Sequence, residues 1–326
     1  MSKSKIKIWL SKYPNVLRHL QFLHNLLLHN ERLMHIESYG EKNKLEKILV
    51  IRPASEDGVQ GLMSLFIQAV RWMDYAKKYD CIPYVDFKNY MTQYYDGKEN
   101  AWDYFFKQPS KLTIKDVYES KNVVLSGSTW NKSVDNELFR ESIFNNQKIQ
   151  TICFSLVRDN IRYSDQVIES IERENENLHV ENCIGLYMRG TDYTKLKPTG
   201  EFVQPRIDDV IHKVDDFLCK YGNLDIFLVT EDDQNYQRLK RQYGNKLKIV
   251  SYDRFIKNYD GKTFLSKSNV LEKDTQKRGV DYLVKIALLA KCKYLISSIT
   301  MGSISAFALN GGKYSDYYIF DLGIYK

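Results

Sequence analysis

Two rhythms of apolar residues alternate along this chain. Short apolar runs such as Ile48-Leu49-Val50-Ile51 have the length and β-branched content of buried strands. Between them, apolar residues recur at steps of three and four, the period of a helix with one buried face. The spacing predicts strands over residues 48–51, 82–87 and 122–126, a helix over 62–78 and a short aromatic helix over 100–106. A polar helical stretch over 165–177 leads into a second series, with strands over 183–188, 225–230, 248–252 and 293–298. Helices over 207–220, 235–243 and 278–291 separate them, and a last strand over 317–321 fits either series. Strands alternating with helices through short loops are the pattern of parallel sheets covered by helices, so an α/β fold is predicted. The 326 residues are enough for two such domains. We expect an N-terminal helical segment at 1–45, a first α/β domain at 46–160 and a second at 161–326, with the junction between 150 and 165.

The N-terminal segment carries an apolar stripe of Trp9, Tyr13, Val16, Leu20, Leu23 and Leu27, surrounded by Lys3, Lys5, Lys7, Lys12 and Arg18. Residues 1–35 hold six Lys/Arg against one Glu, so they account for five of the seven net positive charges. The basic excess is local, and a nucleic-acid-binding surface is not expected. Two readings of the stripe stand: a helix lying on an anionic membrane surface, or a helix docked on its own domain. Four of the six histidines lie here, but without the i, i+4 spacing that would let a helix hold a metal. The segment has no secretory-leader pattern, and no stretch is apolar and long enough to span a bilayer. Five scattered cysteines without a C-x-x-C point to a reducing compartment. A cytoplasmic protein is therefore expected, either free or at the inner face of the membrane. The 24 tyrosines suit stacking on a sugar and suit interdomain packing equally.

Familiar catalytic signatures are absent. There is no G-x-G-x-x-G and no H-E-x-x-H, and Gly261-Lys262-Thr263 lacks the earlier glycine of a phosphate loop because Ile256 stands there. The informative residues are positional. Ligands of open parallel sheets bind beyond the carboxyl ends of the strands, and three predicted strands of the second series end in polar groups. These are Arg189-Gly190-Thr191-Asp192, Glu231-Asp232-Asp233, and Thr300-Met301-Gly302-Ser303 just before a helical stretch. A guanidinium, carboxylates and a helix start are the parts that hold a nucleoside diphosphate.

Tyr187-Met188-Arg189-Gly190-Thr191-Asp192, followed by Glu201-Phe202-Val203-Gln204-Pro205, resembles the His-x-Arg-Arg-x-Asp motif of the fucosyltransferase superfamily. That group includes α-1,2-, α-1,6- and protein O-fucosyltransferases. Leu228-Val229-Thr230-Glu231-Asp232 is similar to its Thr-Asp-Asp motif, and Ser298 to Ser303 to its Thr-x-Ser-Ser motif. The loop from Gly58 to Gly61 is similar to its N-terminal glycine loop. Asn100 to Pro109 resembles a segment of bacterial polysaccharide transferases of this type. The matches lie mainly within residues 183–310.

The resemblance implies two facing Rossmann-like domains of the GT-B type, the first on the acceptor side and the second binding the nucleotide sugar. It also implies a GDP-fucose donor, inversion at the anomeric carbon, and no metal or other cofactor. The absence of Asp-x-Asp, the metal clamp of the other large glycosyltransferase fold, agrees with that. The acceptor would be a glycan such as a bacterial polysaccharide unit, carried on lipid if the basic helix lies on a membrane. By carry-over Arg189 would hold the diphosphate, Glu231 the base or ribose, and Thr300 and Ser303 phosphate. Gly58, Gly61, Tyr187, Asp232 and Gly302 complete the expected donor site. Glu201 is the preferred general base, with Asp192 as the other carboxylate in reach. Tyr187 replaces the usual His, Gly190 the second Arg, and Glu231 an Asp. These departures leave open another nucleotide sugar, or a non-catalytic binding protein on the same fold.

Overall fold

The computed structural model describes residues 33–54, 60–127, 134–265, 271 and 273–326. The basic stripe of residues 1–32 and Gly58 lie outside the described residues.

The chain enters through β1 (His35–Glu37) and β2 (Lys47–Ile51), then the long helix α1 (Leu62–Lys78) and β3 (Cys81–Val85). After a 3-10 turn at Ala101–Tyr104, the short helix α2 (Ile114–Val117) precedes β4 (Val123–Leu125). These strands form one sheet in the order β1-β4-β2-β3, parallel except for β1. Two helices follow, α3 (Gln147–Asn160) and α4 (Asp165–Leu178). Capping starts both, with Asn146 accepting from the amides of Lys148 and Ile149 and Ser164 from that of Val167.

The second half runs β5 (Ile184–Tyr187), α5 (Thr191–Leu196), α6 (Ile207–Tyr221), β6 (Ile226–Val229), α7 (Asp233–Tyr243) and β7 (Leu247–Lys248). It closes with α8 (Thr275–Lys291), β8 (Tyr294–Ser298), α9 (Met301–Asn310) and β9 (Asp316–Phe320). The sheet is wholly parallel, in the order β7-β6-β5-β8-β9, so the last strand belongs to the second series.

Alternate residues of each strand serve different layers, as the pleat requires. Leu49 and Ile51 of β2, Phe227 and Val229 of β6 and Leu295 of β8 all face one continuous core with α1, α3, α4, α8 and α9. Ile48 and Val50 face a smaller core under α2, and Ile184, Leu186, Ile226 and Leu228 face one under α6 and α7. A shared helical layer therefore lies between the two sheets. That position explains why thirteen residues of α1 are buried, including Gln68, Arg71 and Asp74.

Three differences from the sequence reading have local causes. Residues 35–37 are an edge strand rather than part of a helix, because β1 pairs antiparallel with β4. The strand expected over 248–252 is only Leu247–Lys248, since the chain turns away at Ser251 and Tyr252. Helix α3 occupies the expected junction region; it buries only Cys153, Leu156 and Val157, too narrow a stripe to stand out in the sequence. Among the described residues no helix is long and apolar enough to cross a membrane.

The helical layer is tightest at Gly279 of α8. A Cβ there would lie 2.6 Å from two ring carbons of Phe105 and 3.0 Å from Tyr94. Gly279→Ala should destabilise the protein by about 1–3 kcal/mol through overpacking, although helix propensity alone favours Ala by ~1 kcal/mol. Urea unfolding decides the sign, and a gain in stability would show that the two halves do not meet there.

Candidate active site

Strands β6, β5 and β8 are parallel neighbours, so their carboxyl ends lie side by side. Beyond them the chain makes three turns, each leading into a helix. Arg189 leaves the first. Its Nη2 donates to Asp192 Oδ1 at 3.0 Å and Oδ2 at 3.3 Å, and its Nε lies 3.8 Å from Glu231 Oε1. The guanidinium stands 4.9 Å from the centre of the Tyr193 ring. Burial opposes its charge, but Glu231 and Asp192 outweigh that cost and hold its pKa well above the ordinary arginine value.

The same carboxylates build the turn. Glu231 Oε1 also accepts from the Gly190 amide at 2.9 Å and from Thr191 Oγ1 at 2.8 Å. Thr191 has φ 40°, a left-handed conformation that a β-branched residue rarely adopts. Bonds to Glu231 and to Asp232 Oδ2 keep it there. A Cβ on Gly190 would fall 2.5 Å from that of Asp232, so the turn has no room for the second arginine of the motif it resembles. Asp192 is nearly enclosed and accepts from Arg189, its neighbour's amide at Tyr193 and the amide of Leu265. Its lone pairs orient Arg189 and the surrounding loops.

At the third strand end Thr300 caps α9, accepting from the Ser303 amide while Ser303 Oγ accepts from the Thr300 amide. Ser303 is fully buried, its hydroxyl also donates to Ser298 O at 2.7 Å, and it does not line the cavity. Asp232 likewise caps α7, with Oδ1 accepting from the Asn235 amide, and does not line the cavity. Tyr187 and Tyr282 share a hydrogen bond of 3.2 Å between their hydroxyls. Both hydroxyls press on Gly302, where a Cβ would lie 2.6 Å and 2.7 Å from them.

These groups surround a cavity of about 770 Å³, within the range of small-molecule sites. Tyr187, Arg189, Asp192, Glu231, Thr300 and Gly302 line it, and Gly61, at the start of α1, brings in the first half of the chain. Helix α8 supplies residues that the motif reading missed: Lys277, Arg278, Tyr282 and Lys285. Arg278 Nη2 donates to Gln93 at 2.6 Å, and Gln93 donates to Gln60 O at 2.7 Å, so the cavity wall is tied across the two halves. Lys285 donates to Asp253 at 2.7 Å, and burial raises the pKa of Asp253 against the pull of Lys285. The one available signal was helical spacing, which puts Arg278, Tyr282 and Lys285 on one face.

Glu201 stands behind the lining. Tyr193 lines the cavity, and its hydroxyl donates to Glu201 Oε2 at 3.4 Å. Burial raises the Glu201 pKa, opposed by the Tyr193 bond and by Arg189. Among the described residues no group of three or more His, Cys, Asp or Glu is placed to hold a metal ion.

No protein-family model and no curated protein matches the chain. Solved structures do. Fucosyltransferase NodZ from Bradyrhizobium superposes with a TM-score of 0.51 at 12% identity, over 85% of this chain and 96% of that one. POFUT1 in its apo form superposes with a TM-score of 0.53 at 8% identity, over 86% and 99%. The fold is that of the fucosyltransferases. The expected α/β architecture of two facing sheets is thus present, and the cavity just described lies at the strand ends of the second.

Arg189→Ala leaves Asp192 and Glu231 facing each other without their cation. The expected loss of stability is about 2 kcal/mol, below the ~3–5 kcal/mol of a fully buried pair because Arg189 keeps a quarter of its side chain exposed. Chemical denaturation measures it, and a variant as stable as the parent would show that the guanidinium does not hold the site together.

Proposed function

We propose that the chain is an inverting glycosyltransferase that takes fucose from GDP-fucose and passes it to a hydroxyl of a glycan acceptor, without a metal ion. The observation that carries this reading is the placement of Arg189 and the start of α9 in one cavity at adjacent strand ends. A diphosphate there meets a fixed guanidinium and the backbone amides of a helix N-terminus. The fold, shared with fucosyltransferases, supports the sugar and the donor class.

In this reading the acceptor oxygen attacks the anomeric carbon as its bond to the β-phosphate breaks. Negative charge then grows on the departing diphosphate. Arg189 and the α9 amides are already oriented toward it, so they stabilise the transition state without reorganising. The acceptor proton passes to Glu201 by way of Tyr193, which lines the cavity and whose hydroxyl donates to that carboxylate. Asp192 orients Arg189 and does not serve as base. Gly61 and Glu231, which both line the cavity, border the donor, and the basic stripe of residues 1–35 supports an acceptor held at an anionic membrane.

Release of GDP from GDP-fucose tests the activity without a known acceptor, since slow hydrolysis accompanies a bound donor. GDP should raise the melting temperature where ADP and UDP do not, and EDTA should leave turnover unchanged. Stabilisation by UDP alone would reassign the donor, and loss of turnover in EDTA with recovery in manganese would refute the metal-free mechanism.

The base gives a second prediction. Glu201→Gln should lower kcat by about 10²-fold or more with donor affinity kept. Glu201 must be ionised to accept a proton, and its pKa is raised, so the rate should fall as pH drops through that raised value. The decline begins at higher pH than an exposed glutamate would give. A flat acidic limb, or unchanged kcat in the variant, would remove Glu201 from the mechanism.

A further inference from the structure

The segment that carries Glu201 belongs to no helix or principal strand. Residues 197–206 run from the end of α5 to the start of α6, and such a connection has little reason of its own to hold a carboxylate still. Three features fix it. The first is Gln204, which is buried and whose Oε1 accepts from Ser298 Oγ at 2.6 Å, tying the segment to the end of β8.

The other two come from the chain beyond β9. Residues 323–325 lie antiparallel to 200–204, with a bridge between Phe202 and Ile324. The Gly200 amide donates to Tyr325 O at 2.9 Å, the Tyr325 amide to Glu201 O at 2.9 Å, and the Val203 amide to Gly323 O at 2.9 Å. The Tyr325 hydroxyl also accepts from the Gln204 amide at 3.3 Å. The backbone of Glu201 is thus bonded directly to Tyr325, on the side of the segment that Gln204 does not secure.

We infer that residues 323–326 form a positioning strap that holds Glu201 against Tyr193 and keeps its carboxylate away from water. The inference rests on Glu201 being the general base. Gly323 and Ile324 are exposed, Tyr325 is half-buried with its hydroxyl on the Gln204 amide, and none of the strap's residues lines the cavity. Its effect on the reaction therefore runs through residues 200–204, the segment that carries Glu201. Freed from the strap, the segment would let water reach the carboxylate, and the burial that raises its pKa would weaken. A displacement of about 1 Å at such a group is enough to cost on the order of 10²-fold in rate.

The test uses the full chain, Tyr325→Pro, and a form lacking residues 323–326. Proline removes both the amide that bonds to Glu201 O and the hydroxyl that accepts from the Gln204 amide. Thermal unfolding first confirms that both variants fold. The expected result is a kcat lower by about 10²-fold, a donor KM within about twofold of the parent, and an acidic limb of the kcat profile displaced to lower pH. A strap that only adds stability would lower activity equally at every pH and leave the limb in place, which overturns the inference, as would unchanged kcat in both variants. Glu201→Gln measured alongside separates the two claims. If that variant turns over normally, the base assignment fails and the strap with it. If it is slow while both strap variants are normal, the base stands and the strap is refuted.

Discussion

The site depends on one ion cluster, the guanidinium of Arg189 held between Asp192 and Glu231. Here two carboxylates fix its position, and each has other bonds to satisfy. Asp192 takes amides from Tyr193 and Leu265, while Glu231 takes the Gly190 amide and the Thr191 hydroxyl. Their charge is partly spent on the backbone, and the guanidinium keeps a face toward the cavity. The price is the left-handed Thr191 and a glycine at 190, both consequences of bringing the turn so close to Asp232. The departure from the two-arginine motif thus follows from packing at one turn.

The rest of the fold places this cluster where a ligand can reach it. Parallel pairing of β6, β5 and β8 brings three polar turns to one edge. The helical layer between the sheets then sets α8 and α1 around them, so that residues far apart in the chain share one cavity. Tyr282 illustrates the dependence. Its hydroxyl meets that of Tyr187 over Gly302 only because α8 packs against both α9 and the first half of the chain. The Arg278–Gln93–Gln60 connection crosses at the same level, which makes the cavity wall sensitive to how the halves meet.

Much of this was legible in the sequence, and the limits were physical. Short apolar runs located the strands, and polar residues just past them located Arg189, Glu231 and Thr300, since both signals are local. Ser303 marks a limit of local signals: a hydroxyl at a helix start suits a ligand and a cap equally, and the three-residue interval from Thr300 is that of a capping box. Asp232 suffered the same ambiguity. The roles of Arg278, Tyr282 and Lys285 arise from tertiary packing and leave only a helical spacing behind. Edge strand β1 is three residues long, too short for any periodicity, and the bonds from residues 323–325 to the Glu201 segment are backbone bonds that side chains do not announce.

The central claim is that Arg189 holds a diphosphate in this cavity. Calorimetric titration of GDP into the full chain and into Arg189→Met, in buffer free of divalent metal, tests it most directly. The account predicts one equivalent bound by the parent and an affinity weaker by about 10- to 10²-fold in the variant, the scale of one charge-assisted contact of ~1.5–3 kcal/mol. Equal affinities in the two proteins, or no binding by the parent, would contradict it.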